Sequence, residues 1–228
     1  MYTLYIANKN YSSWSLRPWV LMRSLAIAFE ERIQPFDGSS GFVQFRPVSP
    51  SGRVPCLHDG ETKVWDSLSI VEYLAERHPG VWPEDAFTRA WARSATAEMH
   101  SGFQALRDHC LMSCGVRIRL HETPAAVAAD ISRIDQLWNE GLARFGGPFL
   151  VGSTFTAVDA FYAPVVFRAN TYGLSLGAVA QSYVARMLAQ PAMLTWYEQA
   201  VAETWRDQPH EEAIWRMGAI IEDRRVGA

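Results

Sequence analysis

Residues 51–57 read Ser51-Gly52-Arg53-Val54-Pro55-Cys56-Leu57, and residues 66–74 read Asp66-Ser67-Leu68-Ser69-Ile70-Val71-Glu72-Tyr73-Leu74. The strand formers over residues 54–58, the turn pair Asp59-Gly60 and the run over residues 62–65 predict a hairpin between these stretches. A proline at the head of a strand costs no ladder bond and is free to be cis, leaving neighbouring backbone groups for a ligand. Asp66-Ser67 then sets a carboxylate and a hydroxyl at the start of a helix predicted over residues 67–78. The unpaired amides of such a start are a natural seat for a ligand carboxylate. Pro79-Gly80 ends the helix.

Toward the N-terminus, residues 3–7 read as a strand stopped by Asn8-Lys9-Asn10. Ser12, Ser13 and Ser15 follow, each able to cap a helix carrying Trp19, Val20, Met22 and Leu25 inward. Pro18 is expected in its first turn, where the missing N–H has no partner to lose. A second strand is predicted over residues 30–35, and residues 38–50, rich in Gly, Ser and Pro, read as an irregular connection.

Beyond Pro83 the segments are Ala-rich and helical, and no strand-like run is expected. Trp91, Ala95, Met99, Phe103, Leu106 and Cys110 lie three or four apart and predict one apolar face. Thr123-Pro124 reads as cap and first-turn proline of the next helix, and Gly146-Gly147-Pro148 as its stop. Thr156 with Asp159 three residues on has capping-box spacing, which accounts for that carboxylate without chemistry. Gln190-Pro191 opens a helix to about residue 204. A last helix over residues 211–217 is followed by an end expected to fray. The expectation is an α/β unit (residues 1–80) with a mixed sheet, then an all-α unit (residues 84–228).

Composition narrows the function. Of 228 residues 49% are apolar, too many for a disordered chain, and no apolar run reaches the ~18 residues of a membrane span. A net charge of −3 without a basic run excludes a nucleic-acid backbone binder. The start lacks secretory-signal character, and three cysteines cannot build a disulfide framework, so a reduced cytoplasmic protein is expected. Cys110 and Cys114, with His109 beside them, lack the second ligand pair of a zinc site, and no metal is expected. The serine turn carries no Cys-x-x-Cys, which excludes dithiol redox chemistry.

Taken in order, the strand–serine turn–helix, the Arg53-Val54-Pro55 strand and the Asp66-Ser67 helix start resemble the glutathione-binding half of the cytosolic glutathione transferases. Thr156-Ala157-Val158-Asp159 matches that family's second-domain motif. The resemblance spans essentially the whole chain. It implies a thioredoxin-like N-terminal domain, a helical C-terminal domain and a homodimer. It also implies glutathione as co-substrate and a hydrophobic, electrophilic small molecule as its partner. Ser12-Ser13-Trp14-Ser15-Leu16-Arg17 is similar to the Ser-Ser-Cys-Ser-x-Arg turn of the zeta class, which includes maleylacetoacetate isomerases; here Trp14 stands in place of the cysteine.

In that reading Ser12 is the first choice, and Ser13 the second, for the catalytic hydroxyl that holds glutathione's sulfur as thiolate. Ser15 caps the helix and joins Arg53, Val54, Pro55, Asp66 and Ser67 in the glutathione-binding set. Arg17 either adds positive potential near the sulfur or pairs structurally. Trp14, Met99, Phe103 and Arg107 are candidates to face the electrophile. Arg107, Arg117 and Arg168 are the cations a maleyl-type acid would need. Conjugation, a zeta-like isomerisation and a non-catalytic adaptor role all remain open at this point.

Overall fold

The computed structural model describes residues 1–38 and 41–227, residues 41 and 42 in backbone only. Strand β1 (Tyr2–Ile6) leads into helix α1 (Ser13–Ser24) and strand β2 (Phe29–Ile33). After the one-turn helix α2 (Gly41–Phe45) come strands β3 (Cys56–Asp59) and β4 (Thr62–Val64) and helix α3 (Ser67–Ala75). The sheet order is β2-β1-β3-β4. β1 and β2 are parallel, as a helical crossover requires, and the β3–β4 hairpin runs antiparallel beside β1. Leu4 faces Leu57 across the ladder and both are fully buried, so the apolar positions of β1 and β3 fix the register. The connection expected over residues 38–50 contains α2, while Ser39 and Ser40 lie outside the described residues.

Helix α1 starts earlier than Pro18 suggests. Ser12 is its N-cap, and Pro18 sits sixth in the helix, so Trp14's carbonyl loses its donor from the next turn. Burial outweighs that cost: Leu16, Trp19, Val20, Leu21 and Met22 are wholly inside. The helix packs on α3 in its own half, and on α7 and α9 of the second half.

The second half runs α4 (Ala86–Ser101), α5 (Gln104–His109), β5 (Val116–Leu120), α6 (Ala125–Phe145), α7 (Ala157–Tyr172), α8 (Ala178–Leu188), α9 (Pro191–Ala202), α10 (Gln208–Met217) and β6 (Gly218–Asp223). It is a helical domain around α7, whose residues are nearly all buried. Three local expectations are corrected. The face predicted from Trp91 to Cys110 is cut at Gly102-Phe103: Phe103 is left-handed (φ 57°), and a Cβ on Gly102 would lie 2.7 Å from the Glu98 carbonyl oxygen. Pro124, not Thr123, occupies the cap of α6. Lastly, the domain carries a two-stranded antiparallel ribbon of β5 and β6 in place of the frayed end. Val116-Arg117-Ile118-Arg119-Leu120 alternates apolar and charged, a period of two that the surrounding helical composition hides. Gly218 admits the partner strand, since a Cβ there would sit 2.5 Å from the Arg119 carbonyl oxygen.

The two halves are joined at the loop ending β1. Lys9 is buried, its ammonium 4.9 and 5.5 Å from the centres of the Trp19 and Trp196 rings, paired with Glu31 at 2.7 Å and bonded to Gln199. The Glu203 carboxylate accepts the backbone N–H groups of Lys9 (2.6 Å) and Asn10 (3.2 Å). Asn10 in turn accepts from the amides of Cys114 and Gly115. The residues immediately before the serine turn are thus fixed by the helical domain. Among the described residues no helix is long and apolar enough to cross a membrane.

Candidate active site

A cleft opens where α1 begins. One cavity of about 350 Å³ is lined by Tyr11, Ser12, Ser13 and Trp14 from the turn, and by Arg107, Met112, Arg168 and His210 from the helical domain. A second, of about 470 Å³, is lined by Ser51, Arg53, Val54, Pro55, Trp65, Asp66 and Ser67. Trp14, Arg53, Val54 and Arg107 belong to both walls, which makes one continuous cleft. Seven of the eight residues singled out for catalysis and glutathione binding therefore converge.

Ser15 is the exception. It lies inside the first turn of α1, fully buried, and lines neither cavity, so it is not the cap. Its hydroxyl oxygen accepts the Ala7 N–H (3.3 Å) and the Ser12 hydroxyl (2.7 Å). The strand end behind the turn needs that acceptor, and this draws the side chain inward. Ser12 itself reaches the cleft from the N-cap, at the start of the helix, where the Ser13 N–H donates to the Tyr11 carbonyl at 2.9 Å. Tyr11 also lines the cleft, but its hydroxyl donates to Glu211 at 2.6 Å, and burial pushes its pKa up. A serine, not the tyrosine, is left to meet a ligand.

At the other end the Val54–Pro55 bond is cis, as the sequence allows. Asp66 caps α3 by accepting the Leu68 N–H at 2.8 Å, and its second oxygen lies 3.3 Å from His100 Nε2. The Ser67 hydroxyl is buried in the cleft wall with no hydrogen-bond partner. Such an orphan costs ~1–3 kcal/mol until something supplies its bond.

The floor is cationic. Arg17 is fully buried against the rings of Trp14 (4.1 Å) and Phe161 (4.8 Å), with Nε and Nη1 unpartnered among the described residues. Burial, with Arg107 and Arg168 nearby, pulls its pKa down to about 9. Arg107 stacks on the opposite side of the cleft, 4.5 Å from the Trp14 ring, and donates to the carbonyls of His100 and Gly102. Arg168, brought down to about 10 by burial, donates to the carbonyls of Cys110 and Pro164. These guanidiniums are held by rings and carbonyls, which orient them without cancelling their charge; Asp108 is the carboxylate sharing the cavity. Arg117 is elsewhere, on β5 and away from the cleft. Met99 and Phe103 are core residues and line neither cavity.

Phe36, Tyr11 and His210 complete the cavity and carry no local motif that would have announced them. The one signal was Asp207-x-x-His210, cap spacing at the head of α10.

The chain matches the family model of the glutathione S-transferase N-terminal domain over residues 7–82, and that of the C-terminal domain over residues 84–210. It belongs to the glutathione S-transferase family. The transferase is 26% identical over 183 residues to a probable maleylacetoacetate isomerase of Caenorhabditis elegans, covering 76% of this chain and 81% of that one. It is also 26% identical over 176 residues to glutathione S-transferase Z2 of Arabidopsis thaliana, covering 75% and 78%. In fold the transferase is similar to a glutathione transferase homolog from Burkholderia crystallised with bound glutathione, with a TM-score of 0.67 at 22% identity over 87% of this chain and 97% of that one. The thioredoxin-like half followed by a helical domain is the arrangement of this fold.

Proposed function

We propose that glutathione lies along the cleft with its γ-glutamyl end at Asp66–Ser67, its cysteinyl backbone against Val54 and its sulfur at Ser12. The hydroxyl of Ser12 holds the sulfur as thiolate, and the electrophile occupies the cavity between Trp14, Arg107 and Arg168. The observation carrying this reading is the Ser12 hydroxyl at the N-cap of α1, lining the cleft and, among the described residues, bonded only to Ser15. The orphaned Ser67 hydroxyl supports a ligand at the far end.

The energetics suffice. A free thiol near pKa ~8.5 is a few per cent ionised at pH 7, and a drop of two units needs ~2.7 kcal/mol. A hydroxyl donating to a thiolate supplies ~1.5–3 kcal/mol and the helix start roughly 0.3–1. The Ser12–Ser15 bond need not be lost. Both groups are hydroxyls, so rotation lets Ser15 donate to Ser12 while Ser12 donates to sulfur.

Arg107 and Arg168 favour an electrophile bearing a carboxylate. They also support the zeta-like alternative, reversible addition to a maleyl-type acid followed by rotation and elimination. Trp14 fills the position of that class's cysteine, its ring in contact with Arg17 and Arg107. Following the family resemblance, the transferase works as a homodimer in the cytoplasm.

Retention on a glutathione resin, then turnover of a halogenated aromatic, a hydroperoxide and maleylacetone, tests the reading. Retention with turnover supports the transferase, and the productive substrate names the reaction. Neither retention nor turnover leaves the adaptor role and removes the catalytic one.

A further inference from the structure

Outside the serine turn, the cavity contains a second group equipped for proton chemistry. His210 is the third residue of α10, and its ring is sandwiched between Tyr11 (centroids 5.0 Å apart, 25° between planes) and Phe36 (5.2 Å, 23°). It lines the cavity that Ser12 and Ser13 line, and the ring it stacks on belongs to the residue next to Ser12. Nδ1 lies 2.5 Å from Oδ2 of Asp207, a buried carboxylate. A carboxylate on Nδ1 fixes the tautomer, so that Nε2 is the nitrogen that takes and gives protons. No described residue bonds Nε2. The head of α10 is pinned in turn: Glu211 accepts from Tyr11 and pairs with Arg225 at 2.5 Å.

Capping accounts for part of this arrangement and not for the rest. Asp207 caps α10 by accepting the His210 N–H at 3.3 Å. That bond uses only the backbone N–H of His210 and asks nothing of its imidazole. A capping-box side chain would reach back to the N-cap amide. This imidazole turns to the carboxylate and lies in the cleft wall.

We propose that His210, oriented by Asp207, is a catalytic proton donor, and that the electrophiles it serves are conjugate-addition acceptors carrying a carboxylate. The proposal rests on the thiolate placement given above. The thiolate sulfur forms a C–S bond to the β-carbon of an activated alkene, and the π electrons move to the α-carbon and its carbonyl as an enolate. The His210 imidazolium gives its Nε2 proton to the α-carbon. The neutral ring then regains from solvent the proton that glutathione's thiol released on binding. Glutathione and the alkene become one adduct, and no further reactant is consumed. Substitution of a halide needs no such proton, because the halide leaves as an anion. An enolate that is not protonated rotates and expels the thiolate, giving the trans isomer. His210 therefore sets the partition between adduct and isomer.

The test is that partition, read on the full-length protein with glutathione and a cis 4-oxo-2-enoic acid, with both products quantified in one chromatogram. The wild type forms the adduct. His210→Phe keeps an aromatic ring between Tyr11 and Phe36, and His210→Gln keeps a polar group that cannot ionise. General acid catalysis is worth ~10²–10⁴-fold, so each variant lowers the adduct-to-isomer ratio by at least about tenfold. Asp207→Asn, still a good cap, lowers it in the same direction. Thiolate absorbance of bound glutathione shows whether each variant is folded and loaded. A ratio unchanged in both His210 variants, or adduct and isomer falling in step, overturns the proposal. So does a wild type that makes only isomer. Absence of the thiolate signal in the wild type instead overturns the Ser12 reading beneath it.

Discussion

Replacing Ser12 and Ser15 by alanine in turn separates thiolate stabilisation from scaffolding, because the two bonded hydroxyls have different duties. With the sulfur held near pKa ~6.5, about three quarters of bound glutathione is ionised at pH 7. Loss of a bond worth ~1.5–3 kcal/mol raises that value by roughly 1–2 units at ~1.36 kcal/mol per unit. The thiolate fraction at pH 7 then falls about three- to twenty-fivefold, and kcat/KM with a halogenated aromatic falls with it. The deficit shrinks as pH rises toward the raised pKa, where the thiol ionises without the serine's help. Ser15→Ala behaves differently. Its oxygen accepts both Ser12 and the Ala7 amide, and the residue is fully buried. An orphaned amide costs ~1–3 kcal/mol of stability, at roughly 2–4 °C of Tm per kcal/mol in a chain of this size. Its effect on the sulfur is limited to the ~10–30% by which one hydrogen bond strengthens the next. Ultraviolet titration of the bound thiolate and thermal denaturation of both variants supply the readouts. Equal titration midpoints for wild type and Ser12→Ala, or a Ser15→Ala midpoint shifted as far as that of Ser12→Ala, would refute the reasoning.

Arg107→Gln removes a cation that no carboxylate neutralises directly; the kcat/KM preference for a carboxylate electrophile over its methyl ester drops about tenfold or more, measured by paired kinetics. Lys9→Met leaves the half-buried Glu31 without its cation, and equilibrium unfolding gives a loss of ~1–3 kcal/mol. Asp159 accepts from Leu150, Thr156 and Tyr183, yet burial pushes its pKa up to about 6. The native state therefore holds this proton where the unfolded chain, near 3.8, has lost it, and stability falls as pH rises from about 4 to 6. The drop from this group is roughly 3 kcal/mol, and it is absent in Asp159→Asn, which is less stable at every pH because its amide cannot accept all of those bonds. Denaturant titrations across that range check both statements.

Most of the cleft was legible because its pieces are local. A serine turn, a proline opening a strand and an acidic cap each declare a backbone geometry within a few residues, and three such geometries on one sheet end determine where they meet. Ser15 misled because serines two or three residues apart are interchangeable in propensity; only the Ala7 amide decides which of them turns inward. Arg17 offered two readings, and beyond the neighbouring Trp14 ring its surroundings, Phe161, Arg107 and Arg168, come from α5 and α7, remote in sequence. His210 was invisible as a site residue for the same reason, nearly two hundred positions from the serines it faces. The β5–β6 ribbon was missed by weighing composition above alternation.

The clamp on Lys9 and Asn10 gives the enzyme an uneven response to heat. Two amides of the loop before α1 hang from one carboxylate at the end of α9, and Trp196 bonds the Lys9 carbonyl beside them. As the seam between α1 and α9 loosens on warming, that loop slackens while the sheet beneath it is still intact. Thiol activation is then expected to fail at a lower temperature than the one at which the strands melt.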